Sequence, residues 1–197
     1  MKRLFDLLAV LLTAPLWLPL LLVLSLAVLL AMGWPVFYVS DRAGLGGRPF
    51  RFWKLRTMRP PVPGAAAGGA SDRERITGLG RLLRVSSLDE LPQLFHVLSG
   101  KMSLVGPRPL PTAYLPRYDA QSARRHEVRP GLTGLAQVSG RNALDWASRF
   151  RMDVWYVDHR TFPLDLKILW RTLVVVVKRT GVNHPNYDTM CEYKGGN

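Results

Sequence analysis

Cysteine is almost missing from this chain: Cys191 stands alone, so no internal disulfide can form and no thiolate metal cluster can assemble. Acidic residues are also scarce. Fourteen Asp and Glu stand against 27 Lys and Arg, a formal charge of +13, which points to anionic partners: nucleic acid, lipid headgroups or phosphate-bearing substrates. Histidine offers little, because His96, His126, His159 and His184 lack the spacing of a zinc site. Gly44–Gly47 is not followed by the Lys-Ser/Thr of a nucleotide-hydrolase loop, which removes that class of phosphate site. Internal repeats are absent, and 197 residues suit one compact domain with attached membrane elements rather than two large domains.

Charge vanishes between Leu7 and Ser40, and Leu7–Met32 is mostly Leu, Val and Ala. About 20 such residues cross a bilayer as a helix. The run exceeds the ~7–15-residue core of a signal peptide, so it is expected to remain in the mature protein. Pro15 and Pro19 lie inside it, each removing an amide donor and crowding the preceding turn, which predicts a kink. Lys2 and Arg3 precede the run, and Arg42, Arg48, Arg51, Lys54, Arg56 and Arg59 follow it. If positive charge marks the cytoplasmic side, both ends belong there. A re-entrant helix bent at proline satisfies both flanks, and a straight span is the alternative.

Downstream, Val36–Val39 and Phe50–Leu55 read as short strands around the turn Gly44–Gly47, a small hairpin at the membrane surface. Residues 60–71 are rich in Pro, Gly and Ala and are expected to form a flexible loop. An amphipathic helix is expected from Ile76. A second is expected from Ser87, where Ser87 and Glu90 have capping-box spacing and Leu91, Leu94, Phe95 and Leu98 supply an apolar face up to Gly100. Ser103–Pro111 and Val128–Asn142 read as loops. Two late helices are expected at Leu144–Val157 and Leu164–Lys178, the second with the mixed face of a helix lying in the membrane interface.

Asp89 and Glu90 are the adjacent acids with the most informative surroundings. Acids in a first helical turn commonly do no more than cap free amides. A carboxylate beside Arg84 at a helix N-terminus, however, stays ionised, and its neighbour can hold a divalent metal. Gly106-Pro107-Arg108-Pro109 presents Arg108 from a stiff backbone, suited either to bidentate phosphate contact or to a plain rigid connector. Arg129-Pro130-Gly131 and Gly140-Arg141-Asn142 repeat the theme of a cation beside a turn, and together the three point to a polyanionic ligand.

Further strings carry a resemblance: Arg3-Leu4-Phe5-Asp6, Pro35-Val36-Phe37, Phe52-Trp53-Lys54-Leu55-Arg56-Thr57-Met58, Ser87-Leu88-Asp89-Glu90-Leu91-Pro92-Gln93, Met102-Ser103-Leu104-Val105-Gly106-Pro107-Arg108-Pro109 and Val128-Arg129-Pro130-Gly131-Leu132-Thr133-Gly134. In this order, with Gly140-Arg141-Asn142, they resemble the small monotopic phosphoglycosyl transferases, the bacterial sugar transferase family. The short length and the ending Glu192-Tyr193-Lys194-Gly195-Gly196-Asn197 are similar to the minimal members acting in protein glycosylation. The resemblance implies transfer of a sugar 1-phosphate from a UDP-sugar to undecaprenyl phosphate, with release of UMP through a covalent aspartyl intermediate. It implies Asp89 as nucleophile, Glu90 as the acid that binds Mg²⁺, and Arg84 and Arg108 as phosphate-binding cations, with Lys54, Arg56 and Arg129 next.

The implied fold is mostly α with a small β element. Residues 1–40 form the re-entrant membrane helix, and 41–197 form a catalytic domain at the interface, facing the cytoplasm from the bacterial inner membrane. Expected partners are the UDP-sugar, undecaprenyl phosphate and membrane lipids, not nucleic acid, and a homo-oligomer is left open. One departure stands out. Relatives often break the membrane helix at a Ser-Pro pair, and here Leu18-Pro19 takes that place, so Pro19 is the expected break, with Thr13 or Pro15 compensating. Two rival readings are a basic nucleic-acid-binding protein, which leaves the apolar run unexplained, and a non-catalytic basic membrane anchor or scaffold, which needs no Asp89–Glu90 chemistry.

Overall fold

The computed structural model describes residues 1–60, 74–140, 144–178 and 192–195. Most of the loop expected at 60–71 falls outside the described residues, as do Arg141, Asn142 and Cys191. The apolar run forms one 31-residue helix, α1 (Lys2–Met32), with Pro15 and Pro19 inside it. Asp6, Val10, Trp17, Leu21 and Val28 recur at helical spacing and form its buried stripe. Leu8, Leu12, Leu16, Leu22, Leu26 and Leu30 stay exposed, and the helix is long and apolar enough to cross a membrane. Thr13 does not compensate for the prolines in the way expected. Its hydroxyl lies 2.7 Å from the carbonyl oxygen of Ala9 and 3.3 Å from that of Val10, because a threonine reaches only three or four residues back. The carbonyls that Pro15 and Pro19 release belong to Leu11 and Pro15.

Both ends of α1 rest on the same body. At its start, Arg3 donates to the carbonyls of Val97 at 2.5 Å and Leu98 at 2.9 Å. At its end, Arg56 donates to the carbonyls of Met32 and, at 2.6 Å, of Gly33, which closes a helix terminus that lacks other basic groups in its last turn. Between them, Trp17 meets Phe95 edge to face at 5.1 Å.

The expected hairpin is present. Strands β1 (Phe37–Ala43) and β2 (Pro49–Leu55) pair antiparallel from Phe37 opposite Leu55 to Ala43 opposite Pro49. Strand β1 runs on past residue 40. Gly46 and Gly47 turn the chain with φ of 62° and 73°, a region where a side chain is disfavoured. Phe50, Phe52 and Leu55 are buried. Phe50, Phe52 and Trp53 surround His96, whose Nε2 accepts from the Trp53 amide at 3.2 Å.

Burial lowers the His96 pKa from 6.5 to about 4, with Lys101 adding to the effect, and burial does the same for His126. A base whose pKa falls on folding stabilises the fold fully above its unfolded value, and that contribution is lost as pH drops through the folded one. The melting temperature should therefore fall between pH 6.5 and 4. His96→Gln, which keeps an acceptor for Trp53, should make that fall shallower in a melting series across this range.

Helix α2 (Gly78–Ser86) is the amphipathic helix expected after Ile76, capped by Thr77, whose hydroxyl accepts from the Gly80 amide at 2.9 Å. The helix expected from Ser87 is corrected. Ser87 adopts a left-handed φ of 58° and ends α2, and its side chain accepts no cap bond. Leu88–Gln93 is a 3-10 segment, and α-helix resumes only at α3 (Leu94–Leu98). Pro92 has no amide hydrogen to give an α-helical bond, and Glu90 turns to Lys54 and Arg108 instead of back to Ser87.

The two segments read as loops also contain regular structure. Strands β3 (Ser103–Val105) and β4 (Gly131–Thr133) pair in parallel, separated by the short α4 (Ala120–Ala123), and α5 (Leu135–Ser139) follows. Three-residue strands paired across 28 positions leave no local pattern. Glycine makes the pair fit: a Cβ on Gly131 would stand 2.1 Å from the Gly106 nitrogen. The last two helices, α6 (Trp146–His159) and α7 (Phe162–Lys178), fall close to the expected ranges. On α7 the exposed Phe162, Leu166, Trp170 and Leu173 make an apolar stripe, while Ile168 and Asp165 are buried.

Candidate active site

The left-handed turn at Ser87 sends Leu88-Asp89-Glu90 across the end of the hairpin. Asp89 is 6% exposed, and Glu90 lies between two cations drawn from distant parts of the chain. Lys54, near the end of β2, places its Nζ 2.7 Å from Glu90 Oε1 and 3.5 Å from Asp89 Oδ2. Arg108, in the loop after β3, grips both Glu90 oxygens with its two terminal nitrogens, Nη1 at 3.3 Å from Oε2. Arg125 and Asp153, a fully buried pair at 2.7 Å, hold the Arg108 carbonyl through a second Arg125 bond of 2.8 Å, so the loop that carries Arg108 is anchored from behind. Arg84 bonds the Thr57 hydroxyl at 2.9 Å and adds positive potential at Asp89.

The two carboxyls are pushed apart electrostatically. Burial raises Glu90, but Arg108 and Lys54 outweigh it and hold Glu90 well below the usual carboxylate range. Asp89 is raised. Burial is the main cause, Lys54 opposes it, and the ionised Glu90 adds to it. Glu90 is thus a fixed anion, and Asp89 is a desolvated carboxylate that is correspondingly more basic. Two further arginines feel the charge of Arg108: burial and then Arg108 lower both Arg42 and Arg149, Arg149 to about 10.

A family model described as bacterial sugar transferase matches residues 1–179. The chain belongs to the bacterial sugar transferase family. This transferase is 46% identical over 195 residues to the uncharacterized sugar transferase EpsL of Bacillus subtilis, an alignment covering 99% of this chain and 96% of that protein. It is 44% identical over 182 residues to the UDP-glucose:undecaprenyl-phosphate glucose-1-phosphate transferase of Caulobacter vibrioides, covering 87% and 68%. With the undecaprenyl-phosphate galactose phosphotransferase of Salmonella typhimurium it shares 41% over 167 residues, covering 76% of this chain and 35% of that longer protein.

Of the residues singled out in the sequence of this transferase, Asp89, Glu90, Lys54, Arg84 and Arg108 come together, and two do not. Arg56 caps the end of α1 through the carbonyls of Met32, Gly33 and Trp34, and is buried there. Arg129 bonds the Gly100 carbonyl at 2.9 Å and lines a separate cavity near the start of α1. The turn at Gly131 serves the contact between β3 and β4. Sequence reading missed that Arg42 and Arg149 come within electrostatic reach of Arg108. Arg42 stands in an ordinary alternating strand and Arg149 in a mid-helix position, so neither carried a local signal.

For Mg²⁺, Asp89 and Glu90 are two hard oxygen donors on consecutive residues, and because Arg108 holds both Glu90 oxygens and Lys54 one of them, an ion would bind Glu90 only in exchange for one of these cations, with substrate phosphates completing its shell. Among the described residues no third His, Cys, Asp or Glu joins them. The donor chemistry fits an ion that arrives with a diphosphate.

Proposed function

We propose that this enzyme transfers a sugar 1-phosphate from a UDP-sugar to undecaprenyl phosphate at the bacterial inner membrane. The carrying observation is the pair of buried Asp89 and partly buried Glu90 set against Lys54, Arg84 and Arg108. The names of the Caulobacter and Salmonella relatives support the substrate classes. An Asp89 carboxylate oxygen forms a bond to the sugar-bearing phosphorus while the bond from that phosphorus to the bridging oxygen breaks, and UMP leaves with that oxygen. A phosphate oxygen of undecaprenyl phosphate then attacks the same phosphorus and displaces the Asp89 carboxylate. Lys54, Arg84 and Arg108 offset charge on the phosphoryl oxygens during both displacements. Mg²⁺ held at Glu90 would add charge neutralisation at the diphosphate. The test is a panel of UDP-sugars incubated with undecaprenyl phosphate. UMP is the expected nucleotide product, whereas UDP would signify transfer of the sugar alone and overturn the reading.

The basic body lies on the cytoplasmic face, and α1 enters the membrane and returns its end to that face. A straight 31-residue helix rises about 46 Å, against about 30 Å of hydrocarbon, and yet its two ends are bound to one body by Arg3 and Arg56. In a Cys191→Ser background, single cysteines inserted directly after Met1 and substituted at the exposed Trp34 should both react with an impermeant thiol reagent from the cytoplasmic side. Labelling from opposite sides would sink the re-entrant topology and leave a straight span.

A further inference from the structure

A second cationic cavity, of about 90 Å³, lies apart from the carboxylate pair, at the start of α1. Lys2, Arg3, Arg129 and Arg160 line it, with Tyr156, Ser103 and a single acid, Asp6. The acids nearby are already engaged. Asp6 accepts from the Ser103 hydroxyl at 2.7 Å and the Leu104 amide at 3.3 Å, and Asp165 accepts from Lys2 at 2.5 Å and from Tyr156 at 2.6 Å. Four cations against Asp6 and Asp165 leave an excess of two positive charges. Arg160 is exposed and makes no hydrogen bond or ion pair among the described residues, and Arg129 uses only Nε, towards Gly100, so terminal guanidinium nitrogens remain for a ligand. At about 90 Å³ the cavity is well below the roughly 300–1,000 Å³ of small-molecule pockets and suits a group of about phosphate size.

Its position identifies the source of that phosphate. The cavity is lined by Lys2, Arg3 and Asp6 at the start of α1, where Lys2 also binds Asp165 of α7, and farther along the two helices expose Leu8 and Leu12 on α1 and Leu166 and Trp170 on α7. Phe5 and Phe162 join the two helices edge to face at 5.1 Å. A molecule with an anionic head in the cavity and acyl chains along this junction satisfies both surfaces at once.

We propose that this cavity binds the phosphate headgroup of an anionic membrane phospholipid and so fixes the depth and tilt of α1 and α7 at the interface. It is distinct from the transfer site, and its occupation needs no turnover at Asp89. The test is native mass spectrometry of the full chain in detergent titrated with dioleoylphosphatidylglycerol. One lipid should be retained per chain by the parent and by Arg151→Gln, an exposed control on α6. Arg129→Gln/Arg160→Gln should weaken retention at least tenfold. Should that double variant fail to fold, Arg160→Glu, at a position with no bonds to lose, should give the same weakening. Undiminished retention in the folded variants would overturn the site. Inorganic phosphate should not displace the lipid at equal concentration. Displacement by the free ion would overturn the lipid assignment.

Discussion

Asp89→Asn should abolish the covalent adduct and lower turnover by on the order of 10⁴-fold, the scale seen when a nucleophile that acts within a unit is removed. Asparagine keeps the size of the side chain and can still accept a hydrogen bond from Lys54, so the 3-10 segment should persist and the melting temperature should change little. Its amide oxygen is a poor nucleophile. Parent enzyme incubated with UDP-sugar alone should release one equivalent of UMP and gain the mass of one sugar phosphate, which undecaprenyl phosphate should then discharge. Mass spectrometry of the intact chain with a UMP assay checks both. An Asp89→Asn protein turning over near the parent rate would return the pair to a purely structural role. Glu90→Gln should behave differently, weakening Mg²⁺ dependence and slowing both half-reactions, since Glu90 is the fixed anion of the pair.

Arg108→Ala should cost activity by about 10²–10³-fold, comparable to deleting one preorganised charge-stabilising donor. The loss has two parts. Phosphoryl charge goes unmatched, and Glu90, relieved of its bidentate partner, retains Lys54 alone among the described residues. The second part should also lower stability, by about 1–3 kcal/mol, because an ionised group in a buried setting loses charged hydrogen bonds. Arg108→Lys should recover some activity through its charge but not the two-nitrogen grip. Arg48→Ala, at an exposed cation whose side chain makes no hydrogen bond or ion pair among the described residues, sets the baseline for lost lipid attraction. Steady-state kinetics with a parallel melting measurement separates the outcomes, and equal small losses for Arg48→Ala and Arg108→Ala would make Arg108 a mere connector.

The features legible without a structure are those written in local pattern. An uncharged run longer than a bilayer is thick, strands alternating around Gly46-Gly47, and the periodicity of α6 and α7 each follow from neighbours in sequence, and each element formed nearly where expected. The adjacent acids and the proline-flanked Arg108 stood out for the same reason. Where local pattern misled, a longer-range contact had won. Glu90 fits a capping box by spacing, but two cations from residues 54 and 108 compete for its carboxylate and win, and Pro92 prevents the α-helix that the box would start.

The membership of the site belongs to the tertiary structure. Arg56 and Arg129 look as suited to phosphate as Lys54 and Arg108 do when only their neighbours are known. Folding assigns the first to the end of α1 and the second to a cavity at its start, and brings Arg42 and Arg149 within electrostatic reach of Arg108. The amino-acid order by itself determined which groups can ionise, which segments must avoid water and which turns the backbone permits. Only the packing of β2, the 3-10 segment and the loop after β3 decided which charges share a low-dielectric space, because electrostatic coupling depends on distance and burial and neither is a property of sequence separation.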